Sequence, residues 1–449
     1  MRQKELTLSG WGRTSAVTVG GYRPERISAV VQAVQATQAG GTGGVIAFGG
    51  GRSYGDAALN GGGAAILTER LDRILELDVD AGELVCEPGV RISDTQSLLV
   101  PRGLSLPAIP GTAFATIGGA VANDIHGKNH DRDGSFGDHV RWLDLLTADG
   151  TVHRVKPDQD GALFNATVGG IGLTGIILAV CVGLLRVPSN AVRVREMRVR
   201  DLDHFFELLA EHRDKAMYSV GWIDALARGP RLGRGILEVA DPSPEGVEEP
   251  PQRPRRVPVD MPDIFLNRLS IGALNAFYYG RVPAAGRTRT MPMTRFFHPL
   301  DAVLDWNRLY GRGGFHQFQC VIPEEGSRTG IRALLETITA SGSASFLAVL
   351  KTMGRSGRGH LSFPIRGHTL ALDFPARGGA RDLLARLETI TLDHGGRVYL
   401  AKDSTVSAVG FAKMYPALPD FREVLAEVDP RGVFASDLAR RLGIREDLA

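Results

Sequence analysis

Three glycine-rich runs carry the first chemical signal of this chain, because bare backbone can approach a ligand that side chains would exclude. The first, Gly49-Gly50-Gly51-Arg52-Ser53-Tyr54-Gly55-Asp56, follows the strand-like Val45-Ile46-Ala47-Phe48. Consecutive glycines expose N–H groups to an anion, and Arg52 and Ser53 add donors, so the run suits a diphosphate. The second comprises Pro110-Gly111-Thr112 and then Thr116-Ile117-Gly118-Gly119-Ala120-Val121-Ala122-Asn123-Asp124-Ile125-His126-Gly127-Lys128-Asn129. The third is Gly169-Gly170-Ile171-Gly172-Leu173-Thr174-Gly175, ahead of Ile176. Together they offer a flat or extended cofactor bare backbone on more than one side. Gly170, Gly172 and Gly175 satisfy G-x-G-x-x-G, yet the motif leads into a β-rich run and opens no helix, which argues against a Rossmann site. A Walker A loop fails as well, since Asn129 follows Gly127-Lys128 and the upstream glycine is missing.

The elements that must hold these runs are short. Up to about residue 187 the chain reads as β-rich segments broken by glycine, with helical stretches at Pro24 to Thr37 and Ile92 to Leu99, an α+β pattern. From about Val192 charged helical segments such as Asp201 to Arg213 appear, and a second lobe is expected to begin there. Between Asp241 and Pro262 the density of proline and mixed charge predicts a mobile loop. Next, Phe277 to Phe297 interleaves Arg281, Arg287, Arg289 and Arg295 with Tyr278, Tyr279, Phe296 and Phe297 and has no acidic residue, a mixture suited to an anionic lipid surface or a phosphate.

Bulk composition sets limits. With 449 residues, 43% of them hydrophobic, the chain has material for two lobes. A net charge of +2, from 52 basic and 50 acidic residues, argues against a nucleic-acid partner. Cys86, Cys181 and Cys320 have neither disulfide-framework nor zinc spacing, and no metal site is expected. Met1 to Gly10 lacks the continuous apolar core of a secretory signal. The uncharged stretch Val168 to Leu185 approaches the length of a membrane span, but its glycines and the β-forming Ile-Ile-Leu-Ala-Val-Cys-Val predict a buried strand. A cytoplasmic or peripherally membrane-associated protein is expected.

The glycine runs, with PGT, DIHGKNH and GGIGLTGII, resemble the FAD-binding domain of the vanillyl-alcohol-oxidase superfamily. Further segments, among them Gly10-Trp11-Gly12-Arg13-Thr14, Trp306-Asn307-Arg308, Gln317-Phe318-Gln319, Leu361-Ser362-Phe363-Pro364, Ala401-Lys402-Asp403-Ser404 and Phe434-Ala435-Ser436-Asp437, are similar to the decaprenylphosphoryl-ribose 2-oxidase family within it. The resemblance implies a two-domain α+β flavoprotein. Residues 7–190 and 397–449 would bind FAD, and 191–396, with the mobile loop at about 241–297, would build a substrate lobe. It also implies oxidation of the C2 hydroxyl of a polyprenylphosphoryl ribose to a 2-keto sugar, completed to arabinose by a separate NAD-dependent short-chain reductase. A soluble alditol or aldonolactone oxidase, or a non-catalytic flavin- or lipid-binding partner, are the alternatives.

By the same resemblance Lys402, at the end of the apolar Val398-Tyr399-Leu400-Ala401, is the active-site lysine, with His126 and Tyr54 beside the flavin. The expected FAD contacts are Gly49, Gly50, Gly51, Arg52, Ser53, Tyr54, Gly55, Pro110, Gly111, Thr112, Gly118, Gly119, Ala122, Asn123, Ile125, His126, Asn129, Gly172, Gly175, Ile176, Tyr399 and Lys402. Lys128, Trp222, Tyr310, Gln317, Gln319, Lys351, Thr369 and Ala371 match positions around the sugar or phosphate. Arg52-Ser53 stands where covalent members carry a flavin-linking histidine, so the resemblance implies dissociable FAD. Ala371 replaces a cysteine of some members, and Thr369 an asparagine.

Overall fold

The computed structural model describes residues 2–41, 43–249, 254–343 and 345–445. Its largest element is an antiparallel sheet of eight strands. In spatial order these are Arg287–Pro292, Ala191–Val199, Gly235–Pro242, Tyr218–Ile223, Ala348–Met353, Gly367–Pro375, Phe315–Pro323 and Arg397–Val398. Alternation along its central strands sorts the side chains by chemistry, as a two-residue period must. Phe318, Cys320, Leu370, Leu372 and Phe374 join the apolar core shared with the helices Leu202–His212, Ser327–Ser341 and Ala380–Asp393. Gln317, Gln319, Thr369, Ala371 and Asp373 alternate with them and so take the opposite face.

Two smaller sheets precede it. Lys4–Ser9, Ala16–Tyr22, Ala64–Leu67 and Val45–Phe48 form one, parallel except for its first pair, and the helix Ile27–Ala39 buries Val30, Ala33 and Val34 beside it. The other is antiparallel, in the order Ile74–Asp78, Glu83–Cys86, Ile176–Gly183, Val140–Leu146 and Val152–Val155. Its central strand, Ile176–Gly183, is buried at every position, which explains the membrane-like hydrophobicity of that stretch. Among the described residues no helix is long and apolar enough to cross a membrane. The chain end returns to its beginning: Val45 donates its N–H to Val433 O, and Ala435 N donates to Val45 O.

The stretch expected to be a loop carries regular structure, although Pro250, Pro251, Gln252 and Arg253 lie outside the described residues. Arg255–Arg256 pairs in parallel with Val303–Leu304. Asn267 caps the helix Arg268–Gly280, its Oδ1 accepting from Leu269 N and Ser270 N. Composition obscured this helix because the prolines before it dominate the window.

The basic-aromatic segment is also reassigned. Arg281, Arg287 and Arg289 all reach the carboxylate of Glu196, which is fully buried on Ala191–Val199, and Phe296 and Phe297 are buried in the core. Burial pushes the Glu196 carboxyl upward, but the hydrogen bond from Arg287 and the charges of Arg281 and Arg289 outweigh it and hold it below the ordinary range. These three arginines serve an internal carboxylate, one that comes from a strand far upstream and is invisible to a local charge count.

Candidate active site

One cavity of about 880 Å³ runs between the glycine runs and the polar face of the large sheet. Gly49, Gly50, Gly51, Arg52, Ser53, Tyr54 and Gly55 line it, with Pro110, Gly111, Thr112, Gly118, Gly119, Ala122, Asn123, Ile125, His126, Gly172 and Gly175. Lys128, Trp222, Gln317, Gln319, Lys351, Ala371, Tyr399 and Lys402 complete the set of expected residues that it brings together.

Backbone geometry explains the glycines. Gly51 and Gly172 have φ of 63° and 79°, which favour glycine. Ile171, between Gly170 and Gly172, takes φ of 50°, a strained value for a β-branched residue, while its N–H is held by Ala122 O at 2.8 Å. A Cβ on Gly111 would meet nothing within 4 Å, so the cavity reaches bare backbone there. Two buried polar atoms of lining residues, Asn123 Oδ1 and Arg52 Nε, have no hydrogen-bond partner among the described residues. The Arg52 guanidinium lies between Trp11 and Phe114, 4.2 and 4.8 Å from their ring centroids. The Arg52 Nε donor beside open backbone suits an anionic group such as a dinucleotide diphosphate, and the Asn123 Oδ1 acceptor suits a ligand N–H or O–H.

Lys402 is positioned by two interlocked loops. Tyr54 N donates to Ala401 O at 2.8 Å, and Lys402 Nζ stands 3.9 Å from the centroid of the Tyr54 ring. Burial pushes the Lys402 ammonium down to about 8, against the charge of Asp373. Asp373 is fully buried and accepts from Gln317 Nε2 at 2.6 Å and from Tyr310 OH at 3.2 Å. Burial raises its carboxyl to about 7 despite the Gln317 bond. The Tyr54 phenol is pushed well above its ordinary value by burial and then by Asp373.

A second cluster centres on His126. Lys351 Nζ lies 2.9 Å from His126 Nδ1 and donates to Gly127 O at 2.6 Å. Gln319 Nε2 donates to Thr369 Oγ1 at 3.2 Å and lies 3.1 Å from His126 Nε2. With Gln319 donating to Nε2, the imidazole proton sits on Nδ1 and faces a neutral Lys351 amine. Burial pushes Lys351 down to about 7, toward the neutral amine, and burial above all holds His126 well below its ordinary value. Lys128, pushed to about 8 by burial, donates to Phe296 O and sits 3.8 Å from that ring.

Four expected residues stand back from the cavity wall. Asn129 Nδ2 is engaged by Pro107 O at 2.8 Å and Asp133 Oδ2 at 2.6 Å, tying the loop together. Ile176 points into the core behind its sheet, and the alternating strand brings Ile177 to the cavity instead. Tyr310 stacks on Phe315 at 4.2 Å behind Asp373, and Thr369 is buried behind Gln319. Residues that local sequence did not single out include Trp11, Phe114, Glu238, Asp301 and Asp305. Asp301 accepts from Thr112 Oγ1 at 3.0 Å and Ala113 N at 2.7 Å, so the threonine of the PGT run is held by a turn far downstream. Only pairing across long sequence separations reveals these. The wall in all carries six cationic side chains, Arg52, Arg91, Lys128, Arg256, Lys351 and Lys402, against three carboxylates.

Comparison with known proteins gives this cavity a chemistry. Residues 6–156 match the FAD binding domain family, and residues 375–442 match the D-arabinono-1,4-lactone oxidase family. The chain is 38% identical to decaprenylphosphoryl-β-D-ribose oxidase of Mycolicibacterium smegmatis, over 97% of each chain. It is 25% identical to an alditol oxidase of a Streptomyces species over 87% of this chain and 89% of that one, and 29% identical to L-gulonolactone oxidase of Mus musculus over 29% of this chain and 30% of that one.

Proposed function

This chain belongs to the decaprenylphosphoryl-β-D-ribose oxidase family and is an FAD-dependent oxidoreductase acting on CH–OH groups, and from that premise we propose that its substrate is a polyprenylphosphoryl ribose oxidised at C2. The observation that carries the reading is the excess of cations along the wall, which persists with Lys351 neutral, and the place of Lys128 at the end of the second glycine run, where a neutral polyol needs none. Bound FAD would supply the two-electron oxidant for the hydride that leaves the carbinol carbon. Gly49, Gly50, Gly51, Gly111, Gly118, Gly119, Asn123 and Gly172 would hold it, without a covalent bond, since Arg52 and Ser53 offer no linking side chain. Acid precipitation is expected to release all the flavin into the supernatant.

The chain's own groups divide the remaining work. Protonated Lys402 sets a positive charge at the sugar-facing end of the cavity, where it stabilises negative charge that develops during oxidation. The Lys351–His126 pair shares one proton between Nζ and Nδ1 and takes up the second, from the substrate hydroxyl. Gln317, fixed by Asp373, and Gln319, fixed by Thr369, present amides to the sugar, and Lys128 meets the phosphate. Trp222 and Ala371 limit the space beside the ring. The keto product then requires a separate NAD-dependent short-chain reductase to become the arabinose donor, and a lipid-linked substrate implies peripheral attachment to a membrane.

Anaerobic titration tests the reading: polyprenylphosphoryl ribose bleaches the bound flavin and xylitol does not. Bleaching by xylitol alone would assign the chain to soluble polyol oxidation, and no bleaching by either would leave a binding role.

A further inference from the structure

Seven of the thirteen large apolar side chains that stand exposed among the described residues fall between Val259 and Val303. They centre on the helix Arg268–Gly280. Leu269 and Phe277 are 85% and 75% exposed, and just ahead of the helix Ile264 and Phe265 are 75% and 55% exposed. From Leu269 to Gly280 there is no charged residue. A helix that faces water ordinarily carries charge on its outer face, and a contiguous apolar patch marks an interaction site.

The inner face of the same helix is fastened to the large sheet. Asn275 Nδ2 donates to Asp224 Oδ1 at 2.8 Å, Arg198 Nη2 donates to Gly280 O at 2.9 Å, and Tyr278 packs on Trp222 with centroids 4.8 Å apart. Leu274, Asn275 and Tyr278 also line the cavity. One rigid helix therefore forms cavity wall on one side and an apolar surface on the other. At thirteen residues it is about 20 Å long, too short to span a bilayer but suited to lying in its surface. Arg268 opens the helix and Arg255 pairs opposite the exposed Val303 of the same apolar set, both exposed and without an ion pair among the described residues.

We propose that the outer face of Arg268–Gly280, with Ile264 and Phe265, is the surface by which this protein docks on an anionic lipid bilayer. The apolar side chains enter the acyl boundary and the two arginines meet lipid phosphates. This deepens, and in its biological purpose rests on, the reading of the substrate as lipid-linked: the cavity opens beside the docked helix, so the polyprenyl chain passes from the cavity to the bilayer along the Leu274 side without crossing water.

Flotation of the FAD-loaded full chain with vesicles of phosphatidylcholine, alone or mixed with phosphatidylglycerol, tests it. The native protein is expected to float with the mixed vesicles, more weakly with phosphatidylcholine alone. The Leu269→Glu/Phe277→Glu variant is expected to bind at least about tenfold more weakly, given the free energy of burying two large apolar side chains. Equal flotation of variant and native protein, or none by the native protein, overturns the proposal. So does a native dimer, measured by light scattering without vesicles, that the same substitutions dissociate, because the face is then a contact between two copies. Should that variant fail to retain flavin, Ile264→Glu/Phe265→Glu, which lies off the cavity, carries the test with the same expected loss. Flavin bleaching by a short-chain, water-soluble phosphoryl ribose reads the substrate assignment separately and is expected to be the same in native and variant proteins.

Discussion

Asp373→Asn is expected to make the protein more stable at alkaline pH and a poorer catalyst at the same time. Asp373 is fully buried, and burial lifts its carboxyl from 3.8 to about 7 in spite of the hydrogen bond from Gln317. That difference corresponds to about 4 kcal/mol against ionisation in the folded chain. Between pH 4 and about 7 the folded state binds more protons at this site than the unfolded state, so its contribution to stability falls as pH rises through that window. Asparagine keeps the shape of the protonated acid and has no such dependence. Native and variant proteins should therefore have similar urea midpoints near pH 4, with a gap in the variant's favour that opens to as much as about 4 kcal/mol at pH 8. Catalysis moves the other way. The Asp373 charge opposes the burial that pushes Lys402 down to about 8, so its removal lowers the Lys402 ammonium further and shifts the alkaline limb of flavin reduction to lower pH. Urea unfolding across the pH range and stopped-flow bleaching read the two effects. A stability gap that stays constant with pH, together with an unmoved alkaline limb, would refute the argument.

In the native protein, flavin reduction should follow a bell-shaped pH profile. It rises as Lys351 loses its proton near about 7 and falls as Lys402 loses its own near about 8. Ala371→Cys should create a thiol on the cavity wall that reacts with a thiol reagent, whereas native Cys86, Cys181 and Cys320, all buried and pushed by burial to about 12, 11 and 12, should remain unlabelled in mass spectra of the folded protein. Glu196→Gln leaves Arg281, Arg287 and Arg289 around a neutral amide and should cost about 3–5 kcal/mol in denaturant unfolding. Gly55→Ala, whose Cβ would lie 1.9 Å from Asp403 O, should separate the Tyr54 and Lys402 loops and reduce both flavin content and activity, measured by absorbance and by bleaching.

What the sequence made legible was local. Glycine runs declared themselves because a close approach of backbone has few other uses, and the helix Ile92–Leu99 and the strand Ile176–Gly183 followed from periodicity and β-forming residues. The family resemblance points to Ile176 as a cofactor contact, but the strand turns its side chain into the core and brings Ile177 to the cavity. Pairings across long separations stayed hidden. Glu196 could not be matched to its three arginines, nor Asp373 to Gln317, because these depend on which strands lie side by side, nor Asp301 to Thr112, which meet through two loops far apart in sequence. The helix Arg268–Gly280 is hidden both by the prolines before it and by its outward apolar face, which lacks the polar stripe that identifies a soluble helix.

Lys402, the proposed catalytic cation, owes its place to both ends of the chain. Arg441 makes a bidentate pair with Asp56, from Nε and Nη2 at 2.8 Å, and the same Nη2 reaches Asp403 at 2.8 Å while Nη1 donates to Val406 O. Asp56 closes the first glycine run and Asp403 follows Lys402, so one guanidinium fixes the distance between the loop that carries Tyr54 and the loop that carries the ammonium. A lysine there would offer a point charge without the planar fork. The fit is tight enough that Gly55 has no room for a Cβ against Asp403 O. The first glycine run therefore has two tasks: Gly50 and Gly51 leave the cavity wall open, while Gly55 lets the turn that carries Lys402 approach it. A glycine count alone assigns all of these residues to the cofactor, whereas the packing gives Gly55 to the contact with Asp403 O that positions Lys402.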